Sequence, residues 1–242
     1  ASSLDFFSRS HRHLAPRLAS VSRPELSRLL KVGLLFFFLQ LSAALAFASD
    51  NLIIANVLGQ AAVAEYSVVN KLFEAILLLL GVAVLPLWPA YAEAKARRDV
   101  TWIERTLIRT LLVTFFYVTS AGILLLMLGP WLLQIWVGGA VEYSLWLFAG
   151  FLLWTILKGL GMTHSMFMNG LGAIKSQLVL ALLFAGTSLV LKWYFAAHFG
   201  LKGILLALIL TYCAFVVFPL GIMTPKILSR LKFPPGTKVN RN

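Results

Sequence analysis

The stretch ALAFASDNLIIANVLG, Ala44–Gly59, is almost wholly apolar, yet Asp50 and Asn51 stand in its middle. Its reading decides what kind of molecule this is. Small residues with a polar pair after them mark a signal-peptide cleavage site. The same pattern marks the polar end of a membrane span, or a working group inside a membrane protein. The residues around it favour the membrane readings. Arg28–Lys31 and the greasy run after them mimic a secretory leader, but about thirty residues precede that run. Beyond Ser49 the chain continues as a further helix-forming apolar stretch, where a cleaved leader would give way to a secreted domain.

Composition widens the argument. Hydrophobic residues make up 60% of the 242-residue chain and charged residues 12%, with a mean hydropathy of +0.87. Soluble domains carry about a quarter charged residues, so this chain is read as a membrane protein. Apolar runs place six spans, at Val32–Leu58, Tyr66–Leu87, Leu107–Leu128, Leu145–Met168, Leu178–Ala197 and Ile204–Met223. Each approaches or exceeds the roughly 20 residues needed to cross hydrocarbon as a helix. Alternation with a period of two is absent from these runs, which argues against an outer-membrane barrel. The expected fold is all-α and polytopic.

The formal charge of +12 is distributed as a topology signal. Arg9, Arg12, Arg17, Arg23, Arg28 and Lys31 precede the first span. Lys95, Arg97, Arg98, Arg105 and Arg109 lie between the second and third. Lys226, Arg230, Lys232, Lys238 and Arg241 come after the last. On the opposite side Val57–Glu65 and Gly129–Tyr143 carry no Lys or Arg, and only Lys192 and Lys202 flank the third loop. Basic short loops remain cytoplasmic, so both termini are expected inside. The same charges attract anionic lipid headgroups. No basic stripe is interleaved with exposed aromatics, so nucleic-acid binding is not expected. One cysteine, Cys213, and four scattered histidines, His11, His13, His164 and His198, build neither a disulfide framework nor a recognisable metal site.

Three regions are expected. Residues 1–30 read as a basic cytoplasmic linker, 31–224 as the six-helix membrane region, and 225–242 as a disordered tail. The first residue is not Met, so a piece of a longer product is expected. SRPELSRLLK, at the end of the linker, reads as a short amphipathic helix entering the membrane, with Pro24 in its first turn. From Lys31 to Asp50 a helix rises roughly 28 Å. Asp50 therefore lies at the outer interface if the span begins at Lys31, and deeper if the span is shifted towards Leu58. Asn70, Lys71 and Glu74 share a helix face, either as a self-neutralising cluster or as the lining of a cavity. Lys158 lies far from both ends of its span and has no acidic residue within a helical turn. It either snorkels or faces a wet cavity. Pro86 and Pro89 break the end of the second span, and Trp88, Tyr91, Trp131 and Trp136 suit the headgroup level.

SDNLIIANVLGQAAVAEYSVVNKLFE, then LPLWPAYAEA, NGLGAIKSQ and FGLKGILLA, resemble the polysaccharide and O-antigen flippases of the multidrug/oligosaccharidyl-lipid/polysaccharide exporter superfamily. The family's second half shows an Asp, a short apolar run and Gly, a Tyr, then a basic or polar residue and a Pro-containing helix end. Here those are Asp50, Gly59, Tyr66, Lys71 and Pro86. The resemblance covers roughly residues 25–225 and implies the C-terminal lobe of a two-lobe carrier in a bacterial inner membrane. It implies a lipid-linked glycan as substrate, surrounding membrane lipids, and a missing N-terminal lobe or partner chain. Such a carrier performs no covalent step, so no catalytic residue, cofactor or metal is expected. The substrate's pyrophosphate calls for cations, which makes Lys158 and Lys71 the candidates, with Asn70, Glu74, Asp50 and Asn51 beside them. Arg97 and Arg98 are candidates for the cytoplasmic mouth. A drug or ion exporter of the same superfamily, or a polytopic glycosyl- or acyl-transferase, are the alternatives. A transferase would ordinarily carry acidic, His or Arg clusters in sizeable loops.

Overall fold

The computed structural model describes residues 22–138 and 142–232, and every regular element among them is helical. In chain order these are α1 (Arg23–Val57), α2 (Gln60–Val84), α3 (Leu87–Ala96), α4 (Val100–Val137), α5 (Leu145–Gly170), α6 (Ile174–Phe199), α7 (Leu201–Tyr212) and α8 (Phe218–Lys232). A widened π turn over Cys213–Val217 joins α7 to α8. With α2–α3 and α7–α8 each counted as one rod, six helical segments are long and apolar enough to cross a membrane. Six spans is the number the apolar runs indicate.

Local chemistry sets the breaks. Ser22 caps α1: its hydroxyl accepts from the Glu25 amide at 3.4 Å and donates to the Glu25 carboxylate at 2.7 Å. No break occurs at residue 31, so α1 is one helix where the sequence suggests a separate amphipathic entry helix. Leu58–Gly59 then turns the chain sharply into α2. Gly59 has φ 91°, a value that costs a side-chain-bearing residue but not glycine. Leu85–Pro86 interrupts the second rod where the prolines are expected to act, and Pro89 is accommodated in the first turn of α3. Pro130 does not end α4, which continues to Val137. The last rod runs to Lys232, past the boundary expected at residue 225.

The segment through Phe38 forms a unit of its own. Leu29, Leu34 and Phe37 are all exposed in it, as suits a helix solvated by lipid. Residues 39–242 form the second unit. Its larger core is aromatic, with Tyr66, Phe73, Phe148, Phe151, Trp154, Phe184 and Tyr212 in one cluster. A smaller core, including Tyr91, Ile103, Leu107, Phe167 and Leu220, lies nearer the turn at Arg97–Asp99. In a membrane, lipid tails are as apolar as leucine, so helices associate through close packing at small residues. Gly203 shows this most plainly: a Cβ there would stand 2.0 Å from the Phe195 carbonyl oxygen. That contact packs α7 directly on the backbone of α6. By contrast, α1 shows little close backbone approach to any neighbour. Its residues beyond Phe38 are held by side chains that reach across.

Candidate functional site

Two layers of polar side chains cross this apolar unit. The first lies about 10 Å from the Gly59 end, by the helical rise. Asp50 is seven residues before the end of α1, Tyr66 six after the start of α2, and Lys192 seven before the end of α6. Lys192 Nζ meets Asp50 Oδ1 at 2.7 Å, with side-chain exposures of 0% and 9%. The other two ammonium protons reach the Ala46 carbonyl at 2.5 Å and Ser49 Oγ at 2.7 Å. Tyr66 Oη donates to the second Asp50 oxygen at 2.7 Å. Lysine has three donors, and all three are used. Both carboxylate oxygens are also occupied.

This corrects the reading of Lys192 as a residue flanking an outer loop. It lies in the helix interior and is completely buried. Asp50 turns into the helix packing and not onto an open face. Asn51, the next residue, is exposed and accepts a hydrogen bond from Ser67 at 3.0 Å. So α1 and α2 are bridged twice at the same level, once in the interior and once on the open side.

The second layer lies about 20 Å along, near mid-helix. Glu74 is fourteen residues into α2 and Lys158 thirteen into α5. Their charged atoms stand 4.0 Å apart, with side-chain exposures of 53% and 18%. Asn70 Nδ2 donates to the same Glu74 oxygen at 3.1 Å. Lys158 Nζ also lies 5.1 Å from the centroid of the Phe47 ring and 5.7 Å from that of Trp154, within cation–π range. Lys158 has no acidic residue within a turn of its own helix, and its carboxylate partner comes from α2, far away in sequence. Glu74 is engaged by Asn70 and Lys158, and not by Lys71 as the local spacing allowed.

Lys71, Glu74, Ala75, Leu77, Leu78 and Lys158 line one open cleft of about 560 Å³. Ser67, Lys71, Glu74, Ala75 and Leu78 recur at helical spacing, so the polar residues form a strip along one face of α2. Asn51 extends it onto α1. Of the site residues expected from sequence, Asn51, Asn70, Lys71, Glu74 and Lys158 thus lie along one strip. Asp50 is packed behind it. Arg97 and Arg98 lie apart from it, at the α3–α4 turn, where Arg97 pairs with exposed Glu93 and Arg98 takes φ 58°. A second cleft of about 750 Å³ opens between α4, α5 and α8. Its lining is mostly aliphatic, and its His164 and Thr224 bond each other at 2.9 Å. That surface suits acyl chains better than a polar solute. Among the described residues no three His, Cys, Asp or Glu side chains come together as a metal site would require.

The fold has solved counterparts. An outward-facing multidrug resistance MATE family transporter of the MOP superfamily superposes with a TM-score of 0.75 at 18% identity, over 95% of this chain and 53% of that one. The inward-facing form gives 0.72 at 17% identity, over 89% and 51%. A MOP superfamily transporter from Pyrococcus furiosus gives 0.68 at 19%, over 95% and 53%. The class is therefore a helical membrane lobe with the MATE-type fold. A family model described as polysaccharide biosynthesis protein matches residues 7–144, more than half of the chain, and the chain belongs to that family. It is similar to a putative O-antigen transporter of Salmonella typhimurium, with 21% identity over 189 residues, 77% of this chain and 44% of the relative. A putative O-antigen export protein of Yersinia pseudotuberculosis is 23% identical over 185 residues, 76% and 42% respectively. The chain thus spans about half the length of the curated relatives it matches.

Proposed function

We propose that this chain acts as one lobe of a carrier that moves a lipid-linked glycan across a bacterial inner membrane by alternating access. The other lobe comes from further chain or from a partner. The observation that carries this reading is the strip Asn51–Ser67–Asn70–Lys71–Glu74–Lys158 on an otherwise apolar surface. A surface facing only lipid gains nothing from two lysines and a carboxylate near mid-span, where a charge costs about 2.5–3.5 kcal/mol on insertion scales. A surface facing a water-filled cavity bears them easily. The roles of the relatives, O-antigen transport and export, supply the class of solute. Lys71 and Lys158 give point charges for its phosphates without demanding a fixed bidentate geometry. In this reading Arg97 and Arg98 meet the anionic headgroup at the cytoplasmic mouth, the side to which the distribution of basic residues assigns both ends of the chain.

The test uses the full-length carrier in a glycan transport assay. Lys158→Gln is expected to lower transport with normal membrane insertion, and Lys158→Arg to retain part of it. Transport at the unmodified rate in Lys158→Gln would make Lys158 an anchor only. Drug efflux by the unmodified full-length carrier with no glycan transport would favour the multidrug reading that the structural neighbours carry.

A further inference from the structure

We propose that the pocket around Lys192 Nζ is a built site for a primary ammonium, filled in this chain by the chain's own side chain. Three oxygens of different chemical type accept from the ammonium, and a hydroxyl on a second helix braces the carboxylate. Ala46 supplies a carbonyl, Ser49 a hydroxyl and Asp50 a carboxylate, all on α1, while Tyr66 on α2 holds the far carboxylate oxygen. The three acceptors on α1 lie within one turn of helix, at positions 46, 49 and 50. They therefore form a preassembled nest on α1 itself, and only the cation arrives from elsewhere. It arrives on a four-carbon tether from α6, with small residues one and two turns away on the same side of the helix. Ala185, Ser188 and Ala196 share that buried face with Lys192. Small residues leave room for the lysine to extend towards α1.

The consequence reaches the open cleft. Lys192 fixes the α1 backbone at Ala46, and the next residue, Phe47, packs its ring on Trp154 and Phe184 at centroid distances of 6.0 and 5.8 Å. The same ring lies beneath Lys158. The ammonium is thus a positioning group for the cleft wall. Only this last consequence rests on the cleft being the solute face.

Chemical rescue separates a cation site from mere packing. Lys192→Ala removes Cγ, Cδ, Cε and Nζ, the atoms of propylammonium. The full-length carrier bearing this substitution, purified in detergent, is heated with propylammonium chloride, with tetramethylammonium chloride, and with propanol. The expected result is a melting midpoint below that of the unmodified carrier that rises saturably with propylammonium alone. Tetramethylammonium has the charge but no N–H donors, and propanol has the shape but no charge. A double variant, Asp50→Asn with Lys192→Ala, is expected to show no propylammonium response. An equal response to all three additives overturns the proposal. So does a single variant that melts with the unmodified carrier, or one that yields no folded protein even with propylammonium present throughout purification. Because the readout is stability, the proposal can fail while the transport reading stands, and the reverse.

Discussion

The chain makes two lysine–carboxylate pairs across its helices, alike in chemistry and opposite in setting. Lys192–Asp50 is closed, at 2.7 Å with the lysine fully buried. Lys158–Glu74 is open, at 4.0 Å with the glutamate half exposed. A buried pair has given up its water and depends on complete hydrogen bonding, and removing one partner leaves an uncompensated charge. An open pair retains water, contributes little to stability, and leaves its charges available to a third group. The same pairing of residue types thus divides into a fastening within the helix packing and an open pair on the strip proposed to face the solute. Burial decides which is which.

The largest effect on this comparison is expected from Lys192→Met. Breaking a buried pair costs about 3–5 kcal/mol, so the variant should melt far below the unmodified chain. Asp50→Asn added to it should restore much of the loss, since replacing both partners of a buried pair is often nearly neutral. A double variant no more stable than the single one would show that the ion pair is not the source of the loss. Tyr66→Phe comes next. It removes one donor to a buried carboxylate oxygen, an unsatisfied group worth about 1–3 kcal/mol, measurable by denaturant or thermal unfolding. Glu74→Gln should be smallest, within about 1 kcal/mol, because the Glu74 carboxylate is half exposed and its contact with Lys158 is long, at 4.0 Å. A loss there as large as that of Lys192→Met would erase the distinction between the two pairs.

The difference between the pairs also marks what can be read from sequence. The six spans, the breaks at Gly59 and Pro86, and the shared face of Asn70 and Glu74 depend on spacing within one helix, and spacing is visible in a linear string. The ion pairs are not. Asp50 and Lys192 are separated by 142 positions, and Lys192 lies near enough to a span end to resemble a flanking charge. Lys158 looks unneutralised so long as only its own helix is considered, because its carboxylate stands on α2. A weak signal does exist for Lys192. Ala185, Ser188 and Ala196 recur with it at helical spacing, so the lysine lies on a small-residue stripe of the kind that packs against another helix. A cation there has to find an anion on that neighbour, and Asp50 is among the few acidic residues inside the spans.

The most direct test of the proposed solute-facing strip is water itself. In the full-length carrier with every native cysteine, Cys213 included, replaced by serine, single cysteines can be placed at Asn51 and Ala75 on the strip, and at Val113 on the outer face of α4, which is 67% exposed. A membrane-impermeant maleimide reacts with a thiol only where water reaches it. Asn51→Cys and Ala75→Cys are expected to react and Val113→Cys to remain unlabelled, with accumulation of the lipid-linked glycan slowing the first two. Labelling of Ala75→Cys no faster than that of Val113→Cys would place the strip against lipid and contradict the account.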